Sequence, residues 1–140
     1  MVLSDLPEVC TIEAACSPSP WSPRQFELSL SDSQVLLLDN QLVGFGILSS
    51  VVDQAELHNI AIEPSRQGLG LGAAMLDHLL DSLDDQVTAT FLEVRTSNFR
   101  AIRLYQERGF NKVGERRDYY KTALGREDAL LMCRRTIDQE

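Results

Sequence analysis

The sequence predicts an α/β domain of the mixed, α+β kind, with an antiparallel meander of strands leading into a parallel centre and helices on its flanks. Three observations carry this prediction. Apolar residues recur at helical spacing near the start of the chain, then change to strand-like runs from Val35. A strand, a glycine-rich turn, a helix and another strand follow in the order of a βαβ unit, which sets its two strands parallel with a right-handed crossover. Two further short strands close the chain.

The first helix is expected from Ser4-Asp5-Leu6-Pro7, a capping residue followed by an early proline, with Leu6, Val9, Ile12 and Cys16 at helical spacing. Ser17-Pro18-Ser19-Pro20 breaks it. Ser22-Pro23-Arg24-Gln25 restarts the chain as a capping box, with Pro23 at the first helical position and Phe26 and Leu30 on one buried face. Residues 35–38, the turn Asp39-Asn40 and residues 42–48 read as a β-hairpin. Residues 55–62 form a third strand that Pro64 ends. The glycine turn then feeds a helix with Leu71, Met75, Leu76, Leu79, Leu80 and Leu83 apolar, stopping at Asp84-Asp85. Residues 87–94 are the next strand, and Asn98 caps a helix whose left-handed stop is Gly109. Residues 112–119 and 128–132 are the last strands, joined by a loop around Gly125.

The 140 residues, 44% of them hydrophobic, fit a single domain spanning 1–140 with a core that needs no disulfide or metal staple. Lys+Arg 13 against Asp+Glu 21 gives a net charge of -8, which argues against sequence-independent nucleic-acid binding and favours a cationic partner. No apolar run approaches the roughly 18 residues of a membrane span, and residues 1–5 carry no basic start, so no membrane association and a cytoplasmic address are expected. Cys10, Cys16 and Cys133 lack Cys-x-x-Cys spacing and a histidine partner, and are expected as three buried, reduced thiols with no metal.

A glycine-rich turn between strand and helix lets backbone amides approach a ligand, and the helix N-terminus adds unpaired N–H donors, so phosphate is its natural guest. No Gly-Lys-Ser/Thr follows, which excludes a P-loop. Read as Gly68-x-Gly70-x-x-Ala73, with Glu93 about twenty residues on, the turn matches the dinucleotide fingerprint. The antiparallel meander before it and the short chain after Gly72 weaken that reading.

Read as Gln67-x-x-Gly70-x-Gly72, the turn resembles the acyl-CoA motif of the GNAT superfamily of N-acetyltransferases. The likeness extends to the bacterial RimI family of ribosomal-protein alanine N-acetyltransferases. Pro20-Trp21-Ser22, Leu57-His58-Asn59-Ile60-Ala61-Ile62, Leu92-Glu93-Val94-Arg95-x-Ser97-Asn98 and Ala101-Ile102-x-Leu104-Tyr105 resemble that family's blocks. So do Gly109-Phe110, Arg116-Arg117-x-Tyr119-Tyr120 and Glu127-Asp128-Ala129. Together they cover nearly the whole chain, in order. Relatives carry a fuller first strand, and with only Met1 to Ser4 before Asp5 an edge strand is expected to be clipped here. The resemblance implies a GNAT fold whose parallel central strands splay around acyl-CoA.

Acetyl transfer to an amine requires a cradle for pyrophosphate, a donor to the thioester carbonyl, a base for the ammonium proton and an acid for the leaving thiolate. The resemblance implies acetyl-CoA as cosubstrate, without metal, bound at Gln67 and by the amides of Gly68, Leu69, Gly70, Leu71, Gly72 and Ala73. Strand residues Asn59, Ile60, Ala61 and Ile62 would lie along the pantetheine arm, with an N–H near Ala61 or Ile62 polarising the acetyl oxygen. Glu93 is the only charge within residues 87–94, and an unpaired carboxylate there is costly unless it faces a cleft. It reads equally as a strand-end carboxylate paired with Arg95 or Arg117 and as a general base, and the resemblance favours the base. Tyr105 shares a helical face with Ala101 and Ile102, the place of a core aromatic; the resemblance makes it the acid. Asn98 is first a helix cap, to which the resemblance adds a bond to the coenzyme arm. His58 alternates away from Asn59 and is expected to be exposed or satisfied.

The implied acceptor is the basic, alanine-starting N-terminus of a small-subunit ribosomal protein, which negative walls would attract; an acidic surface that serves solubility is an equal reading. Two alternatives stand beside this: a GNAT enzyme acting on a small amine such as a polyamine or aminoglycoside, and a non-catalytic module binding acyl-CoA or a dinucleotide. A monomer is expected.

Overall fold

A computed structural model of the chain describes residues 1–122 and 125–136. The helices are α1 (Leu6–Cys16), α2 (Pro23–Leu28), α3 (Leu71–Asp81) and α4 (Phe99–Glu107). The strands are β1 (Ser33–Leu38), β2 (Gln41–Val51), β3 (Gln54–Ile62), β4 (Ala89–Arg95), β5 (Asn111–Thr122) and β6 (Gly125–Arg135). They form a six-stranded mixed sheet in the order β1-β2-β3-β4-β6-β5. The chain divides into two compact units, Met1–Leu48 with His58–Ser82 and Ser49–Leu57 with Leu83–Glu140.

In the first unit, residues 3–5 make one 3-10 turn before α1, where the clipped strand was expected, and Met1 donates its terminal amine to Ser33 O at 3.1 Å. Ser22 Oγ accepts from Gln25 N while Gln25 Oε1 accepts from Ser22 N, the expected capping box. The helix it opens stops at Leu28, so Leu30 falls in a 3-10 turn instead of on the helix face. Asp39 and Asn40, at φ 51° and 64°, make the two-residue turn from β1 into β2. The β1–β2 ladder is antiparallel, with Val35 opposite Phe45 and a register break between Leu36 and Leu37.

Val9, Ile12, Phe26, Leu42, Phe45 and Ile47 pack together as this unit's core. Phe26 lies edge-on to Phe45 at 5.3 Å and tilted against Trp21 at 5.2 Å. Truncating a buried phenylalanine of this kind costs roughly 3–5 kcal/mol. Glu13, 2% exposed, accepts the backbone N–H of Trp21 at 2.9 Å and so folds the proline-rich link back onto α1. Gly46 leaves room for α3: a Cβ there would sit 2.5 Å from Leu79 Cδ1.

In the second unit, β3 and β4 pair in parallel from Gln54 opposite Ala89 to Leu57 opposite Leu92, as a βαβ unit requires. β4 pairs antiparallel with β6, Glu93 opposite Leu131 and Arg95 opposite Ala129. Since alternate residues share a face, Phe91, Glu93 and Arg95 lie on one side with Leu131 and Ala129, while Leu92, Val94 and Met132 are buried on the other. Asn98 Oδ1 accepts Ala101 N at 3.2 Å, and Gly109 ends α4 at φ 88°, both as expected.

Three further expectations need correction. The last two strands are longer than 112–119 and 128–132, and Gly125 opposes Thr122 inside the ladder, because pairing resumes after the register break beyond Arg116, with Tyr120 opposite Glu127 and Lys121 opposite Arg126. α3 stops at Asp81, before Leu83, where Ser82 turns the chain and its N–H reaches back to His78 O and Leu79 O. Of the thiols only Cys133 is buried; Cys10 is half-buried and Cys16 exposed at the last position of α1.

Candidate active site

The glycine turn belongs to the first unit. Gly68 and Gly70 adopt φ 85° and 82°, a region that side chains with a Cβ resist. Gly70 is the N-cap of α3, no side chain caps that helix, and a Cβ built on Gly70 meets nothing within 4 Å. The first N–H groups of an α-helix have no intrahelical partner. Backbone N–H groups at a helix start, with the positive end of the helix dipole behind them, are donors suited to an anion. Leu69 is exposed, and Leu71, Gly72 and Ala73 are half-buried in the first helical turn.

Gln67, the first residue of the motif, uses its side chain within the protein. Its Nε2 donates to Ile62 O at 2.9 Å and lies 3.7 Å from Cys16 Sγ, and the Cys16 thiol donates to the same carbonyl at 3.3 Å. The last residue of β3 is thereby tied to the end of α1 and to the start of the turn. Burial, then the Glu13 carboxylate, push the Cys16 thiol above its ordinary value, so it remains the hydrogen-bearing partner in this tie. Asn59, Ile60 and Ala61 are half-buried, Ile62 is buried, and His58 is exposed on the strand.

Glu93, Asn98 and Tyr105 belong to the second unit. A cavity of about 800 Å3 opens on the Glu93 face, with Phe91 and Leu131 beside the carboxylate, Val113 and Arg116 on one flank and Asp53 and Glu56 on the other. The partner of Glu93 is Arg116, whose Nε lies 2.7 Å from Glu93 Oε2. Their orientation falls outside hydrogen-bond geometry, so the contact is an ion pair without a directed bond. The reading of Glu93 as a paired strand-end carboxylate named Arg95 or Arg117, and the pairing falls to Arg116 instead. Arg95 is engaged elsewhere, 3.5 Å from Glu127 and with its guanidinium 4.2 Å from the centre of the Tyr120 ring.

Tyr105 is buried and lies edge-on to Phe110 at 5.8 Å, a core aromatic in its surroundings. Burial, with a smaller contribution from Tyr120, pushes its phenol far above the ordinary tyrosine range. It therefore carries its proton at any physiological pH, as an acid must before it acts. Asn98 spends its side-chain oxygen on the α4 cap.

Glu127 and Tyr120 were visible from the sequence only as family-like blocks. Glu127 accepts Ser97 N at 2.7 Å and Thr96 Oγ1 at 3.4 Å, which locks the end of β4 to the final hairpin. Hydrogen bonding from Ser97, opposed by burial and helped by Arg95, holds its carboxyl below the ordinary range. Burial and the charge of Glu93 push the Tyr120 phenol up to about 12. Among the described residues no three His, Cys, Asp or Glu side chains group as metal ligands, and no helix is long and apolar enough to cross a membrane.

The sequence profile of the acetyltransferase (GNAT) family matches residues 6–110. The chain is 42% identical over 134 residues to the [ribosomal protein bS18]-alanine N-acetyltransferase of Escherichia coli strain K12, covering 93% of this chain and 90% of that protein. The Haemophilus influenzae protein of the same name is 38% identical over 134 residues, 92% and 91% of the two chains. The crystal structure of the ribosomal-protein-S18-alanine N-acetyltransferase from Escherichia coli superposes with a TM-score of 0.91 at 38% identity, covering 100% of this chain and 93% of that one.

Proposed function

The chain belongs to the acetyltransferase (GNAT) family, and from that membership we propose that it moves the acetyl group of acetyl-CoA to the N-terminal alanine of a small-subunit ribosomal protein. It is an acyltransferase with acetyl-CoA as cosubstrate. The observation that carries the acceptor is the 42% identity to a bS18-alanine N-acetyltransferase, which runs through nine-tenths of both chains. The whole chain works as one cytoplasmic, monomeric domain.

Acetyl-CoA supplies the activated acyl group as a thioester; the rest is done by side chains and amides of this chain. The uncapped start of α3 and the left-handed turn at Gly68 and Gly70 hold the pyrophosphate by backbone N–H groups. Asn59 to Ile62 line the pantetheine arm, and an N–H near Ala61 or Ile62 donates to the carbonyl oxygen. Glu93 takes the proton of the acceptor ammonium, so that the free amine attacks directly. Tyr105, protonated because it is buried, gives its proton to the departing sulfur. Glu93 suits its role because it is the charged group of an otherwise apolar stretch of strand and opens on a cavity.

Mass spectrometry of a basic peptide beginning Ala-Arg, incubated with the protein and acetyl-CoA beside spermidine and an N-terminally blocked lysine peptide, tests this reading. Acetylation of the α-amine alone is expected. Modification confined to spermidine or lysine moves the acceptor to another class, and no product from any acceptor leaves a binding module.

A further inference from the structure

Arg116 meets Glu93 from another strand and has no task in the reaction as described so far. Its side chain is 57% exposed against 21% for Glu93, so a carboxylate set in the cavity wall is met by a cation reaching in from solvent. The guanidinium carbon of Arg116 also lies 5.4 Å from the centre of the Tyr119 ring, within the roughly 6 Å reach of cation–π attraction. Arg95, two residues along β4 on the Glu93 side, is 12% exposed and held between Glu127 and Tyr120. One arginine is thus fixed, and the other reaches in from solvent to a buried carboxylate oxygen, with an aromatic surface beside it.

An amine that is to lose a proton to Glu93 arrives as an ammonium, a like charge to the guanidinium already there. Two cations competing for one carboxylate oxygen repel each other, and the more exposed one is the cheaper to displace. We propose that Arg116 is a positioning residue for Glu93: an exchangeable counter-ion that holds the carboxylate in place until an acceptor amine arrives, then yields its position and rests against Tyr119. This rests on the reading of Glu93 as the base.

Steady-state kinetics of Arg116→Ala and Arg116→Lys with the Ala-Arg peptide and acetyl-CoA, beside Glu93→Gln, test it. In Arg116→Ala, kcat falls roughly ten-fold because the carboxylate is less well held, short of the hundred-fold that a full 1 Å misplacement brings. The KM for peptide falls about two- to five-fold because its competitor is gone, as the modest worth of such pairs allows. The KM for acetyl-CoA stays as in the parent, and Arg116→Lys recovers most of kcat and the parental peptide KM. Parental kcat and KM in Arg116→Ala overturn the proposal. So does a raised peptide KM at intact kcat, which makes Arg116 an acceptor-binding group, and so does a raised acetyl-CoA KM in both variants, which makes it structural. If Glu93→Gln turns over like the parent, the base assignment fails and takes this inference with it. If Glu93→Gln is inactive while Arg116→Ala behaves as the parent, only the role of Arg116 fails.

Discussion

Replacing Gly70 by alanine separates the shape of the glycine turn from the space in front of it. Gly70 sits at φ 82°, and a Cβ there touches nothing within 4 Å, so the protein itself offers no clash. The stability cost is then conformational alone, about 1–2 kcal/mol for an L-residue held left-handed. Alanine also narrows the unfolded ensemble, which offsets roughly 0.4–1 kcal/mol of that. A net loss near 1 kcal/mol is expected in urea unfolding followed by circular dichroism. Asparagine tolerates the left-handed region better, so Gly70→Asn should lie closer to the parent. The KM for acetyl-CoA should rise in both variants if, as proposed, the pyrophosphate occupies the empty space a Cβ would enter. Two results refute this reasoning: a Gly70→Ala protein as stable as the parent, or a Gly70→Asn protein with the parental KM for acetyl-CoA.

Thr90 is 0% exposed and its hydroxyl has no hydrogen-bond partner among the described residues. Thr90→Val keeps the shape and removes the unpaired group, so the unfolding free energy should rise by about 1 kcal/mol, and a fall in the urea midpoint would show that the hydroxyl is satisfied after all. Glu127 has a lowered folded-state pKa, so its contribution to stability is complete above the unfolded carboxylate value near 4.3 and disappears as pH falls through the folded one. The stability gap between parent and Glu127→Gln, measured by urea titrations at several pH values, should be constant from pH 7 to about 5 and narrow below about 4; a gap that widens in acid refutes this. Tyr105→Phe should lower kcat by about 10²–10⁴-fold with KM for acetyl-CoA nearly unchanged and with the same proportional loss from pH 6 to 9. A loss that shrinks towards alkaline pH would mean that the phenol titrates within that range.

Most of the architecture is legible because its signals are local. Pro23 and Gln25 announce α2, Asn98 and Gly109 bracket α4, and the alternation along β4 depends on no distant partner. The partner of Glu93 was not legible, for a physical reason. Between Lys112 and Gly114 the β5 ladder skips a residue, so Lys112 opposes Met132 while Gly114 and Arg116 oppose Leu131 and Ala129. Counting by twos along the sequence sets Lys112 and Arg116 on one face, but the bulge at Val113 brings Arg116 round to the face of Glu93. The alternative reading of Glu93 as paired with Arg95 or Arg117 had no means of anticipating a bulge. Nor could the contact of Gln67 with Cys16 be read ahead, since it depends on Cys16 arriving from the far end of α1.

The register breaks have a further consequence, for what happens when molecules of this chain meet in a crowded solution. The outermost strands of the sheet order are β1 and β5, and each is interrupted, β1 between Leu36 and Leu37, β5 at Val113 and again between Arg116 and Tyr120. An open strand edge is a template on which a second chain can add its own strand, and an aggregate can begin there. A break in the ladder spoils the straight row of donors and acceptors that such docking needs, and charged Lys112, Glu115, Arg116, Arg117 and Asp118 stud the β5 border. The same irregularity that brings Arg116 to Glu93 thus discourages one copy of the protein from zipping onto another.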